Sequence, residues 1–312
     1  MNITGIDAIP TKFLMRFKKN YSLPIPIVEP QYLPYYLHTL DLHFHTLDKF
    51  QKFKAVYDIY HTALLDFSDD LQNQIITDIK NSTFYQKFTK FNFPNHQLAL
   101  IKDNLYRTEN KGKKYIKIDL QCANYQSFKF ANSFLSEDIT FLQNSYTDFI
   151  SQYTHFDYFI ESKRLRQIIF GYLNASRQQS LLRLIMGQMY DFLISNNLFT
   201  PNDLVASNSD ELIFYVNDNL FANIETYMMP LFSAFPNINI TITPFTLEVL
   251  KSALMPFYVF RFQNNLFEFK CVPLTMFLQV YKKYLNLPAQ EEDFLFYNEK
   301  QIAKYLQPLW EE

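Results

Sequence analysis

The chain has 312 residues, 48% of them hydrophobic, with 29 basic against 31 acidic side chains and a net charge of −2. A sizeable core is available, and binding of nucleic acid through overall positive charge is excluded, so any such binding must use local basic patches. Two cysteines, Cys122 and Cys271, exclude a disulfide framework and a cysteine-based zinc site and fit a reducing, cytoplasmic setting. No apolar run approaches the roughly 18–20 residues of a membrane span, and residues 1–9 lack a basic segment followed by an apolar one. The 33 Phe and 22 Tyr read as core filler.

In chain order, residues 10–34 carry scattered prolines and read as mostly extended. Residues 35–80 show apolar positions at three- and four-residue spacing (Leu37, Leu40, Phe44, Leu47, Phe50), the pattern of amphipathic helix. A β-hairpin is expected next: residues 97–107 against 113–120, turned at Glu109-Asn110-Lys111-Gly112. Helical segments follow at 136–150 and 158–196, the second broken near Asn174. Pro201 opens a strand pair, 204–209 and 212–216, flanking Asp210-Glu211. Then come a helix (219–233), a strand (238–243), a helix (246–254) and a hairpin, 257–263 against 266–272, turned at Asn264-Asn265. The last helices include 274–285. The fold class is α+β. From Tyr115 the order approximates βαββαβ, an antiparallel sheet with helices on one face, behind an N-terminal mainly helical region. Three segments result: 1–96 extended and helical, 97–286 the core, 287–312 a tail helix.

Two acidic positions stand at strand ends. Asp119 closes the alternating run Lys114-Tyr-Ile-Lys-Ile-Asp119, and Asp210-Glu211 sits at a hairpin tip 91 residues later (210 − 119). On neighbouring strands these carboxylates project from one sheet edge. Crowded carboxylates repel, and a divalent cation between them relieves the repulsion. Such a set equips a chain for two-metal phosphoryl transfer. Lys163 and Arg166, three apart, share a helix face and suit a phosphate grip.

Asp119-Leu-Gln-Cys-Ala-Asn124-Tyr125 resembles motif A of the polymerase palm superfamily: family A DNA polymerases carry Asp-Tyr-Ser-Gln-x-Glu, and reverse transcriptases Asp-x-x-x-Ala-Phe/Tyr. Asp210-Glu211-Leu-Ile-Phe214 resembles the family A motif C, His-Asp-Glu-Leu, with Ser209 for the histidine. Lys163-Arg-Leu-Arg166-Gln-Ile-Ile-Phe170-Gly171 is similar to motif B, Lys-x-x-x-Phe-Gly-x-x-Tyr, with Arg166 at the lysine and Asn174 at the tyrosine. The 40 residues from Phe170 to Asp210 (210 − 170) are nearer the reverse-transcriptase spacing.

The resemblance covers about 100 residues and implies a palm-like catalytic core. Asp119 and Asp210 would hold Mg²⁺ or Mn²⁺, with Glu211 as auxiliary. Arg166 and Lys163 would grip the nucleoside triphosphate and Phe170 would stack on its base. Asn124 takes the place that senses the sugar 2′-hydroxyl. Arg261 and Lys270, on the hairpin after motif C, would grip the primer, and the basic stretch 111–117 would guide phosphates. The implied partners are a primer–template and a protein that supplies fingers or thumb. A non-enzymatic replication or transcription accessory, or a viral assembly protein with a degenerate palm, is the alternative.

Overall fold

The structure is a computed structural model that describes residues 5–96, 98, 104–299, 301–307, 309 and 310. Five helices come first: α1 (Thr11–Asn20), α2 (Leu33–Phe44), α3 (Thr46–Tyr60), α4 (Leu64–Asn81) and α5 (Thr83–Phe88). His45, in the left-handed region at φ 49°, divides α2 from α3. The bend is tied by Leu47 N–H donating to Asp41 Oδ1 at 2.8 Å. Apolar stripes on these helices interlock through aromatic rings. Phe17 meets Phe50 and Phe53 with centroids 5.4 and 5.3 Å apart, contacts that add to the burial itself.

Strand β1 (Lys114–Leu120) leads into α6 (Ala123–Leu135), α7 (Tyr146–Ser151), α8 (Asp157–Ile160), α9 (Lys163–Gly171) and α10 (Ala175–Ser195). A tight pair follows, β2 (Leu204–Ser207) and β3 (Glu211–Val216), then α11 (Asp218–Ala222) and α12 (Ile224–Ala234). Next come β4 (Ile240–Lys251), β5 (Pro256–Phe262), β6 (Phe267–Lys270), α13 (Phe277–Tyr284) and a small hairpin, β7 (Leu295–Asn298) with β8 (Gln301–Lys304). The main sheet is antiparallel, in the order β2-β3-β1-β4-β5-β6. The α+β class and the N-terminal helical region therefore stand.

Alternation along β1 gives the sheet two different faces. Ile116, Ile118 and Leu120 pack with Leu182, Ile185 and Met186 of α10 and Met228 of α12. Tyr115 joins Ile213, Phe245, Leu247 and Phe260 on the opposite face, where Leu105 also packs. A third core runs from the N-terminal helices through Phe128, Phe149 and Phe170 to Tyr281 and Leu295.

Several expected elements are corrected. Residues 10–34 are not mostly extended, because Phe13, Leu14 and Phe17 bury one face of α1. No 97–107 strand pairs with β1 among the described residues. Residues 97 and 99–103 lie outside them, while Leu105 is buried and Tyr106 stacks on Phe260. The partners of β1 are β3 and β4 instead. The helix expected at 246–254 is strand, since β4 runs through Lys251 between β1 and β5. Pro244 is accommodated before β5 joins at Phe245↔Phe262, where a missing N–H is tolerated. Residues 123–135 are helical ahead of the expected 136–150 segment. The segment 287–312 holds the β7–β8 hairpin rather than a tail helix.

Candidate active site

β1 and β3 are direct neighbours, and their register pairs Asp119 with Glu211. Asp119 has the parity of Tyr115, and Glu211 that of Ile213, so both project from the face away from α10 and α12. The β2–β3 turn folds over the end of β1: Leu120 N–H donates to the Asp210 carbonyl at 3.1 Å. Asn208 shapes this turn by accepting from Asp210 N–H at 2.9 Å through its side chain. The short connection thereby fixes two acidic residues beside a third that stands 91 positions earlier in the chain (210 − 119).

All three carboxyls sit above their ordinary acidity range, and burial is the largest cause for each. For Asp119, Lys117 opposes the rise while Asp210 and Glu268 add to it. Glu211 is pushed up further by Asp119 and Glu268, against Lys270 and Lys117. Lys163 and Lys117 draw Asp210 back down. Burial has this signature, with crowded negative charge adding to it at Asp119 and Glu211.

The first turn of α9 brings Lys163 within electrostatic reach of the cluster. Ser162 caps α9, accepting from Leu165 N–H at 3.0 Å. Lys163 is exposed and its charge reaches Asp210. The Arg166 guanidinium donates to Cys122 Sγ at 3.2 Å and lies over the Tyr146 ring, 5.4 Å from its centroid. Cys122, at φ 52°, makes the turn from β1 into α6, and half-buried Asn124 stands in the first turn of α6. Asp119, Asp210, Glu211 and Lys163 are thus brought together, while Arg166 and Asn124 stand near the β1–α6 turn that follows Asp119.

Three expectations fail here. Phe170 cannot stack on a base in this arrangement. It is fully buried, edge-on to Phe128 at 5.4 Å and to Tyr125 at 6.2 Å. Its neighbour Gly171 has nothing within 4 Å of a would-be Cβ, so no close approach inside the chain explains that glycine. Arg261 and Lys270 do not form one grip. Lys270 opposes Tyr258 and shares its face with the carboxylates, whereas Arg261 lies on the other face, paired to Glu248 at 3.1 Å. The stretch 111–117 is not a free basic guide, because Lys114 is paired to Asp218 at 2.8 Å and Lys117 turns into the acidic cluster.

Two further residues stand at the cluster: Lys117, expected only as part of a phosphate guide, and Glu268, which was not expected at all. Lys117 Nζ lies 4.0 Å from Glu211 Oε2 and 3.7 Å from Glu268 Oε2, and Lys270 Nζ holds Glu268 Oε1 at 2.7 Å. Flat strands would put β6 roughly 14 Å from β1, so these pairs report a sheet coiled toward its carboxylate-bearing face. The two-residue spacing of Lys117 and Asp119 was a usable signal. Nothing local marked Glu268.

Hard oxygen donors carrying crowded charge suit a magnesium or manganese ion in kind. Among the described residues, however, no group of three or more acidic, histidine or cysteine side chains converges as a ready-made metal cage. No helix among them is long and apolar enough to cross a membrane. Comparison of the chain with protein-family models, with curated proteins and with solved structures finds no match.

Proposed function

We propose that this chain is a nucleotidyltransferase that extends a nucleic-acid strand from nucleoside triphosphates, its sheet serving as a polymerase palm. The supporting observation is the pairing of Asp119 with Glu211, under a turn that brings Asp210 to the end of β1. The strand–helices–hairpin–helices–strand order, with β1 between β3 and β4, agrees with a βαββαβ palm.

Asp119 and Asp210 would hold Mg²⁺ or Mn²⁺, which when bound lowers the pKa of an attacking hydroxyl and offsets charge on the phosphates. Glu211 keeps a further negative charge beside them. Lys163 reaches solvent next to Asp210 and receives the triphosphate. Arg166 backs it, held in place by Cys122 and Tyr146. Primer and template enter on the carboxylate-bearing face. Base stacking falls to a residue other than Phe170.

The test offers primer–template, each nucleotide set and Mn²⁺ to the purified chain. Extension is expected, and Asp119→Ala or Asp210→Ala should lower it by about 100-fold or more. A parent chain that extends nothing, or variants that extend equally well, would end the proposal.

A second reading has one observation in its favour. Lys117 already places an ammonium among the carboxylates, as expected of a disused palm in a binding or assembly protein. Mn²⁺ that leaves the melting temperature unchanged would favour it.

A further inference from the structure

We propose that Lys117 regulates the carboxylate site as its built-in counter-ion, its ammonium and a divalent cation competing for the same acidic surface. This inference rests on the reading that the cluster takes such a cation.

Lys117 shares a strand face with Asp119, two residues away, and its side chain is only 15% exposed. Its distances to Glu211 and Glu268, 4.0 and 3.7 Å, exceed those of a formed hydrogen bond. The hold is therefore electrostatic and loose. Glu268 has its own partner in Lys270 at 2.7 Å, so it does not depend on Lys117. The four-carbon lysine stem lets the head group withdraw without moving β1.

A cation arriving at Asp119 and Asp210 meets this positive charge and gains affinity once it retreats. Like charges crowded at a half-buried surface repel strongly enough to weaken binding of either one. An effect of about tenfold on affinity follows. Lys117 thus balances the crowded acidic edge in the metal-free chain, and it sets the cation concentration at which the site fills.

The experiment measures Mn²⁺ binding to the full chain by electron paramagnetic resonance of the free ion, for the parent, Lys117→Met and Lys117→Arg. Lys117→Met should bind about tenfold tighter, with Lys117→Arg close to the parent. Binding by Lys117→Met alone also supports the proposal and marks the parent site as held shut. Equal affinity in all three overturns the role of Lys117 and leaves the nucleotidyltransferase reading standing. No binding in any of them ends both.

A second measurement needs no variant that must fold. Acetic anhydride labels the parent chain with and without Mn²⁺, and the Lys117 peptide is compared with that of exposed Lys111 by mass spectrometry. Mn²⁺ should raise relative labelling of Lys117 several-fold, and an unchanged ratio overturns the proposal.

Discussion

At the scale of single residues, Asp119 shows what a crowded acidic cluster costs the fold. Its carboxyl is held above the ordinary aspartate value of 3.8, by burial first and then by Asp210 and Glu268. A raised carboxyl pKa means that ionisation disfavours the native state. The penalty is absent below the ordinary range, and it grows as pH rises from there through the folded-state pKa. Asp119→Asn should therefore raise the melting temperature of the metal-free chain by about a degree or two at neutral pH. The gain should vanish near pH 3.5, and a thermal melt series against pH reads both. The opposite case is the buried pair Lys282–Asp293, at 2.9 Å with side chains 8% and 0% exposed. Asp293 also accepts from Tyr35 Oη at 2.6 Å and from Gln290 N–H at 2.7 Å. Asp293→Ala leaves Lys282 buried and unpaired, and should cost about 3–5 kcal/mol in urea denaturation. Adding Lys282→Met should recover a good part of that loss.

At the scale of elements, α10 carries a contact visible only in three dimensions. A Cβ on Gly187 would stand 2.2 Å from His96 Nδ1, while His96 Nε2 meets Asp191 at 2.8 Å one turn along. Alanine in a helix interior is favoured over glycine by about 1 kcal/mol. Gly187→Ala should nonetheless destabilise the chain, because the imidazole must leave. In a His96→Ala background the same substitution should stabilise by about 1 kcal/mol, and this change of sign is readable by denaturation. Other features of the elements were legible in the sequence. Asn174 was the expected break, and it caps α10 from the left-handed region at φ 64°, accepting from Arg177 N–H at 3.3 Å. The β2–β3 and β5–β6 hairpins lie where turn residues separate alternating runs. The run Thr246-Leu-Glu-Val-Leu250 was not legible. Apolar residues so spaced satisfy period 2 and period 3.6 about equally, and only pairing with β1 and β5 decides for strand.

At the scale of the whole molecule, the juxtaposition of Asp119 with Asp210-Glu211 was readable because these are strand-end residues. Their meeting needs only that β1 and β3 be neighbours. Phe170 was misread because its surroundings come from α6, Tyr125 and Phe128, which no local pattern places there. Lys117 and Glu268 meet only through the coiling of the sheet across β4 and β5. The same long reach governs stability. Tyr36 Oη donates to the Glu292 carbonyl at 2.9 Å, Tyr297 Oη donates to Glu29, and Leu295 packs in the core of the N-terminal helices. Deleting residues 291–312 should therefore loosen α2 as well. Faster proteolysis within residues 21–45 of the shortened chain would show it, and an unchanged rate would speak against the coupling. This stapling also has a consequence for biosynthesis. Tyr35 and Tyr36 find their partners only after more than 250 further residues, at sequence separations of 258 and 256. On a ribosome, these tyrosines wait for Glu292 and Asp293 before their hydrogen bonds close, so this part of α2 stays open to chaperones until that segment has been made.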